Sequence, residues 1–249
     1  MIITMGNAKG GSGKTSTAVN LAAGLVRARR SVLLIDLDPQ GSLTLIETES
    51  RTRTGPGVRD FLEGVPAGDL IKHTDDGPDM IPGGPAIGRA DFQTEPDALL
   101  RALEPVRGLY DVILIDTPPN TGDLSIMGVA AADWTILPAG VGKTELDAVL
   151  QYSAGVIKSA GRINPAGKVA GVLINRVDMR TRHDRDGAEA IRQACGRFGL
   201  PVFRTTVRRS VKVADATDAG QSVFTFSRRA AVTGDYMEFT REVLERGKA

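Results

Sequence analysis

Short runs of consecutive apolar residues alternate along this chain with longer stretches in which apolar residues return every three or four positions. Ile2–Met5, Val112–Ile115, Trp134–Pro138 and Lys168–Asn175, together with Ser31–Gly41, read as strands buried on both faces. Helical spacing recurs at Thr17–Val26, near Pro96–Glu104, and at Leu124–Ala131, Glu145–Ser159, Ala188–Phe198 and Ala230–Arg246. Strand and helix in turn predict an α/β chain. The pattern fades over residues 47–95, which are rich in Gly, Pro, Thr and Asp. A short helix at Val58–Leu62 and a strand and turn at Asp79–Gly84 stand out there, and the region is expected to be a peripheral excursion rather than a linker.

With 249 residues, 41% of them apolar and 24% charged, the chain suits one globular domain spanning 1–249. Its single cysteine, Cys195, excludes a disulfide framework and a four-cysteine metal site, and reads as core filler in a helical stretch. His73 lacks metal-spaced partners and is expected to be a solvated surface residue. The first strand starts at once, so no signal peptide is expected, and no apolar run approaches the ~20 residues that span a bilayer. A reducing cytoplasm is the expected home. The net charge of +1 hides an asymmetry: residues 1–175 carry 16 Lys/Arg against 20 Asp/Glu, and residues 176–229 carry 12 against 6. A basic region in a near-neutral chain marks a local binding surface.

The chemistry begins between the first strand and the first helix, at Ala8-Lys9-Gly10-Gly11-Ser12-Gly13-Lys14-Thr15-Ser16. Strand, glycine-rich turn and helix are the context a phosphate-binding loop requires. Glycines let the backbone curl until successive amides face an anion, and the helix start adds its positive end. The loop from Gly10 to Ser16 is therefore the candidate nucleotide cradle. Lys14 would reach the β- and γ-phosphates, and the Thr15 hydroxyl would hold Mg2+. Ala8 stands where the usual template has its first glycine, and a second lysine, Lys9, opens the loop.

Asp36 and Asp38 lie two apart at the end of the second strand and are expected on one face, positioning water and magnesium. Asp116 ends an apolar run in a Walker B arrangement, and Thr117-Pro118-Pro119 predicts a defined loop that a γ-phosphate could hold or release. Gly140–Thr144 imitates half of a second phosphate loop, but one Rossmann-like domain rarely has room for two nucleotides. Asn175-Arg176-Val177-Asp178 follows a strand as base-reading Asn-x-x-Asp strings do, and this spacing alone leaves ATP and GTP open. Arg180, Arg182, Arg204, Arg209, Lys212, Arg228 and Arg229 are candidates for DNA contacts. With no helix-turn-helix, zinc spacing or aromatic stacking pattern, such contacts would go to the phosphate backbone, independent of sequence and salt-sensitive.

The Lys-Gly-Gly-x-Gly-Lys-Thr loop resembles the deviant Walker A motif of the ParA/MinD group of ATPases. Asp-x-Asp-Pro-Gln-Gly at 36–41 is similar to ParA switch I, and the loop from Asp116 through Asn120 and Gly122 to its switch II. The likeness covers nearly the whole chain in the family's order. It implies a P-loop NTPase with a doubly wound, mostly parallel sheet flanked by helices. It implies ATP with Mg2+, held by Thr15, Asp38 and Asp116, and catalysis by Lys9, Lys14, Asp38 and Asp116. Lys9 would reach across a homodimer to the other subunit's nucleotide. Asn175 and Arg176, with Val207 and Arg208, would sit at the base; Val207–Lys212 stands where ParA proteins have a Pro-Arg-Asn-Val-Arg-like string, and Arg208 replaces its proline. The implied function is DNA segregation: an ATP-closed dimer on non-specific double-stranded DNA at the nucleoid, reset when a ParB-type activator stimulates slow hydrolysis. A MinD-type membrane cycle is the alternative, disfavoured by Asp235, Glu238, Glu242 and Glu245 in the closing helix. A metabolic P-loop enzyme is the third reading.

Overall fold

A computed structural model describes residues 1–47, 55–74 and 76–248. The part of the 47–95 excursion at 48–54 and 75 lies outside the described residues. Eight strands form one sheet: β1 (Ile2–Met5), β2 (Val32–Asp36), β3 (Lys72–His73), β4 (Asp79–Ile81), β5 (Val112–Asp116), β6 (Trp134–Ala139), β7 (Lys168–Val177) and β8 (Val202–Arg208). Their order is β3-β4-β2-β5-β1-β6-β7-β8, and every pair is parallel except β3 with β4. This is the doubly wound, mostly parallel sheet that was expected. The excursion is less peripheral than predicted, because β4 joins the sheet beside β2.

Period-two alternation splits the core into two layers, since successive side chains leave a strand on opposite faces. Ile3, Met5 and Leu34 face the helices Lys14–Arg27 and Ala231–Arg246, packing with Leu21, Phe239 and Val243. Ile2, Leu33, Ile35, Ile113 and Ile115 face the other way, onto Phe61, Leu99 and Met127. Beyond β6 that second layer continues with Leu137, Val172 and Ile174 against Val149, Ile191 and Cys195. Cys195 is buried, as its position in a helical stretch suggested.

The last helix, Ala231–Arg246, does more than fill a groove. Two of its acidic residues turn inward onto the free edge of β8. Glu242 accepts the backbone N–H groups of Arg204 (2.8 Å) and Thr205 (2.9 Å), and Asp235 accepts the N–H of Arg208 (3.0 Å). At the far end of the same helix, the Arg246 guanidinium donates to the carbonyls of Ala170 and Val202. Of the acidic residues that count against lipid binding, Asp235 and Glu242 thus have a structural role and are buried.

Candidate functional site

Parallel strands aim their C-terminal ends at one rim, and ligands sit in the crevice there. At this rim β1 runs into the glycine-rich loop, β2 into Leu37–Gly41 and β5 into Thr117–Gly122. The loop closes on the helix Lys14–Arg27 through Gly13, whose φ is +95°. A side chain is excluded at Gly13 twice over. The left-handed backbone disfavours one, and a Cβ would lie 2.4 Å from Asn175 Nδ2. No side chain caps the helix, so its first N–H groups remain available to an anion.

A cleft of about 680 Å³ opens above this loop, lined by Gly11, Gly13, Lys14, Thr15 and Ser16 on one side. Asp38, Asn175, Arg176, Arg208 and Arg209 are among the polar residues on its other walls, and Pro119 also lines it. Lys14 is buried; burial lowers its pKa, while the carboxylates of Asp116 and Asp38 pull it back up. Asp116 Oδ2 accepts from the Thr15 hydroxyl at 2.6 Å, whereas its Oδ1, also buried, has no hydrogen-bond partner. The buried Ser12 hydroxyl has none either. Burial, and next the carboxyl of Asp36, push the Asp116 pKa upward. Such a site is poorly satisfied by protein alone, because a buried polar atom without a partner costs roughly 1–3 kcal/mol.

This donor set fits a magnesium ion that shares a nucleotide's phosphates. Mg2+ takes one or two carboxylates and completes its octahedron with phosphate oxygens and water. Thr15 and Asp116 supply the protein side. Among the described residues no group of three His, Cys, Asp or Glu could hold a metal unaided.

Several expected residues sit differently. Asp36 and Asp38 do not share a face: β2 ends at Asp36, and the chain has already turned at Asp38. Asp36 is wholly buried and accepts from the N–H of Asp38 (3.0 Å) and from the N–H and hydroxyl of Thr44 (2.9 and 2.8 Å). Burial, only partly offset by these bonds, raises its pKa to about 6. It shapes the turn and leaves Asp38 to face the cleft. Val207 does not line the cleft. Its position on β8 sends its side chain into the core, 1% exposed, while Arg208 lines the cleft. Lys9 is not free: its ammonium binds Glu145 Oε1 at 2.7 Å and Thr144 Oγ1 at 3.1 Å. The Gly140–Thr144 string is the lead-in to that Lys9 pocket, with Gly140 N–H donating to Glu145 Oε2.

Asn175 packs against the loop at Gly13, and Arg176 has a left-handed φ of +60°, rare for a non-glycine residue. That kink lets the Arg176 guanidinium reach the Gly11 carbonyl. Arg208 is clamped by Asp235 through two bonds of 2.6 and 2.7 Å. Neither Asp235, nor Glu145, nor Tyr236, which lines the cleft floor, was identified from sequence. Each earns its place through a partner on a distant element, which no local motif encodes.

The basic candidates divide into two groups. Arg180 is paired with Asp178, Arg182 with Asp186, Lys212 with Asp215, and Arg204 with Glu242 and Glu245. Arg209, Arg228 and Arg229 are exposed and have no ion pair among the described residues. Arg209 lies beside Arg180 in a second hollow next to the cleft.

Comparison with known proteins agrees with this fold. The family model AAA_31, described as an AAA domain, matches residues 1–165. The chromosome-partitioning ATPase Soj of Thermus thermophilus is 32% identical over 98% of this chain and 95% of its own length. The sporulation initiation inhibitor protein Soj of Bacillus subtilis is 31% identical over 99% of each. Among solved structures, cobyrinic acid a,c-diamide synthase from Mycobacterium smegmatis, with bound ATP analog and magnesium, superposes with a TM-score of 0.84 at 28% identity. It covers 100% of this chain and 96% of that one.

Proposed function

Since the chain belongs to the ParA/Soj-type P-loop ATPases, we propose that it is an ATP-dependent DNA-partition protein whose cleft binds Mg-ATP. The observation that carries the nucleotide reading is the cluster of buried Lys14, orphaned Asp116 Oδ1 and orphaned Ser12 Oγ around one glycine loop. Lys14 neutralises phosphate charge in cis, and the loop amides from Gly10 to Ser16 orient the phosphates. Thr15 and Asp116 would hold a magnesium ion, which would offset the negative charge of the phosphates. Asp38 orients the attacking water, and Asn175, Arg176 and Arg208 border the base. Lys9 serves a second copy's nucleotide, so two chains close face to face at their clefts.

The closed pair then holds the DNA backbone through exposed arginines that form no ion pair among the described residues, Arg209, Arg228 and Arg229 first among them. A ParB-type partner resets the cycle by stimulating hydrolysis. The MinD-type alternative needs a free apolar helix face for lipid. Here Val232, Tyr236, Phe239 and Val243 of the closing helix are buried in the domain, which favours the DNA reading. No helix among the described residues is long and apolar enough to cross a membrane.

The test is retention on DNA-coated beads with ATP, with ADP, and with ATP plus a magnesium chelator. Retention is expected with Mg-ATP alone, and Asp38→Ala should persist on the beads as a dimer. Light scattering that finds Asp38→Ala monomeric in saturating Mg-ATP would overturn the proposal.

A further inference from the structure

Around the excursion, the core layer that holds Leu33, Ile35 and Ile113 is covered by three short helices, Val58–Leu62, Ala67–Leu70 and Ala98–Leu103. They leave a hollow of about 480 Å³ between them. Phe61 and Val106 line it and are buried in that core layer, whereas Val65, Pro66 and Pro105 line it and are exposed. Arg101 brings the one polar side chain among the lining residues, and it is exposed and already paired with Asp97. Metabolite sites carry a few convergent polar groups that fix the ligand's orientation. This hollow has no such set, so it suits apolar side chains presented by another protein.

Charge narrows the choice of partner. Residues 55–104 carry 4 Lys/Arg against 10 Asp/Glu, the reverse of the arginine-rich stretch 176–229. Glu63, Asp69 and Glu104 stand within two residues of the lining positions Gly64, Ala67 and Pro105, and all three are exposed. Asp69 has no ion pair among the described residues. Glu63 shares Arg59 at 2.8 Å and Glu104 lies 3.8 Å from Arg107, surface pairs of a kind that contributes little and can exchange partners. We propose that this hollow docks a basic amphipathic helix of a partner protein. Its apolar residues, spaced three and four apart, enter the hollow, and flanking Lys or Arg meet Glu63, Asp69 and Glu104. None of the lining residues borders the nucleotide cleft, so docking needs no nucleotide. An acidic face also repels nucleic acid, so a helix seated here leaves the basic region uncovered.

The test is fluorescence anisotropy with two labelled 18-residue peptides. Both place leucine three and four positions apart; one fills the remaining positions with lysine, the other with glutamate. The leucine–lysine peptide should bind at least about tenfold more tightly than the leucine–glutamate one, equally with and without Mg-ATP. Ala102→Arg puts bulk and positive charge into the hollow and should weaken that binding about tenfold or more. Val65→Arg, at an exposed position, should do the same and serves should Ala102→Arg not fold. Asp69→Lys combined with Glu104→Lys should cost about fivefold and improve binding of the leucine–glutamate peptide. No binding of the leucine–lysine peptide, equal binding of both peptides, or binding that survives Ala102→Arg and Val65→Arg would each overturn the proposal. So would binding that appears only with Mg-ATP. Light scattering that finds a wild-type dimer without peptide, split by Val65→Arg, would assign the hollow to a second copy of this chain instead.

Discussion

Lys9 Nζ lies 2.7 Å from Glu145 Oε1, so the lysine that opens the phosphate loop is held by its own chain. Glu145 is nearly buried and Lys9 is 39% exposed at its side chain, a geometry worth on the order of 1 kcal/mol. If Lys9 serves a second copy, as proposed, that engagement must first break this pair. Glu145→Gln should therefore lower the protein concentration needed for Mg-ATP-dependent dimerisation by up to about fivefold, as read by analytical ultracentrifugation. Lys9→Ala should abolish that dimerisation while leaving monomer binding of ADP intact. Unchanged dimerisation in both variants would remove Lys9 from the interface.

Lys14→Ala removes the buried cation of the glycine loop, the group assigned here to the nucleotide's phosphates. Equilibrium dialysis should find no ATP or ADP binding up to millimolar concentrations, with secondary structure preserved by circular dichroism. Wild-type affinity would move the nucleotide elsewhere.

The crowded carboxylates make the nucleotide-free fold sensitive to pH. Asp36 titrates near 6 in the folded chain, against about 3.9 in an unfolded one. The folded state thus holds the proton more tightly, and stability is lost as pH rises from about 4 through 6. Asp116 shifts in the same direction. Asp116→Asn should flatten this fall between pH 4.5 and 7.5 and raise the melting temperature at pH 7. It should also abolish the added thermal stability that Mg-nucleotide confers on wild type. A steeper pH dependence in the variant would contradict the assignment.

Charge removal should separate DNA retention from nucleotide binding. Replacing Arg209, Arg228 and Arg229 together by alanine should reduce the slope of log retention against log salt by about 2–3. ATP affinity should stay within twofold of wild type. Retention equal to wild type at every salt concentration would place the DNA surface elsewhere.

Glu242→Ala tests the clamp on β8. Burial disfavours the Glu242 carboxylate, but the N–H groups of Arg204 and Thr205, the Thr205 hydroxyl and Arg246 outweigh it and lower the pKa. This stabilisation is present above the unfolded pKa and fades as pH falls through the lower folded value. At pH 7 the variant should lose about 3 kcal/mol and some 6–10 °C of melting temperature. The gap to wild type should narrow below about pH 4.

The central strands were legible because strands buried on both faces are apolar over most of their length, as β1, β2 and β5 are apart from Thr4, Asp36 and Asp116. β8 was not. Its Val-Phe-Arg-Thr-Thr-Val-Arg alternates, and its polar side chains are satisfied by a helix that follows some thirty residues later. The phosphate loop, Asp38, Asp116 and Asn175 stood in short motifs whose spacing reflects the geometry of one turn, and they converge on one cleft or its floor. Glu145 and Asp235 acquire their roles only when folding brings them to Lys9 and Arg208. Asp36 misled for a local reason: two-residue spacing implies a shared face only while the strand continues, and β2 stops there.

An unpaired outer strand ordinarily invites a neighbouring molecule to extend the sheet. With Asp235 and Glu242 already occupying the amides of Arg208, Arg204 and Thr205, that route to self-association is blocked along much of β8. Pairing of copies, if it occurs as proposed, is thereby left to the cleft rim, and crowded copies would not fuse into cross-strand aggregates through this margin.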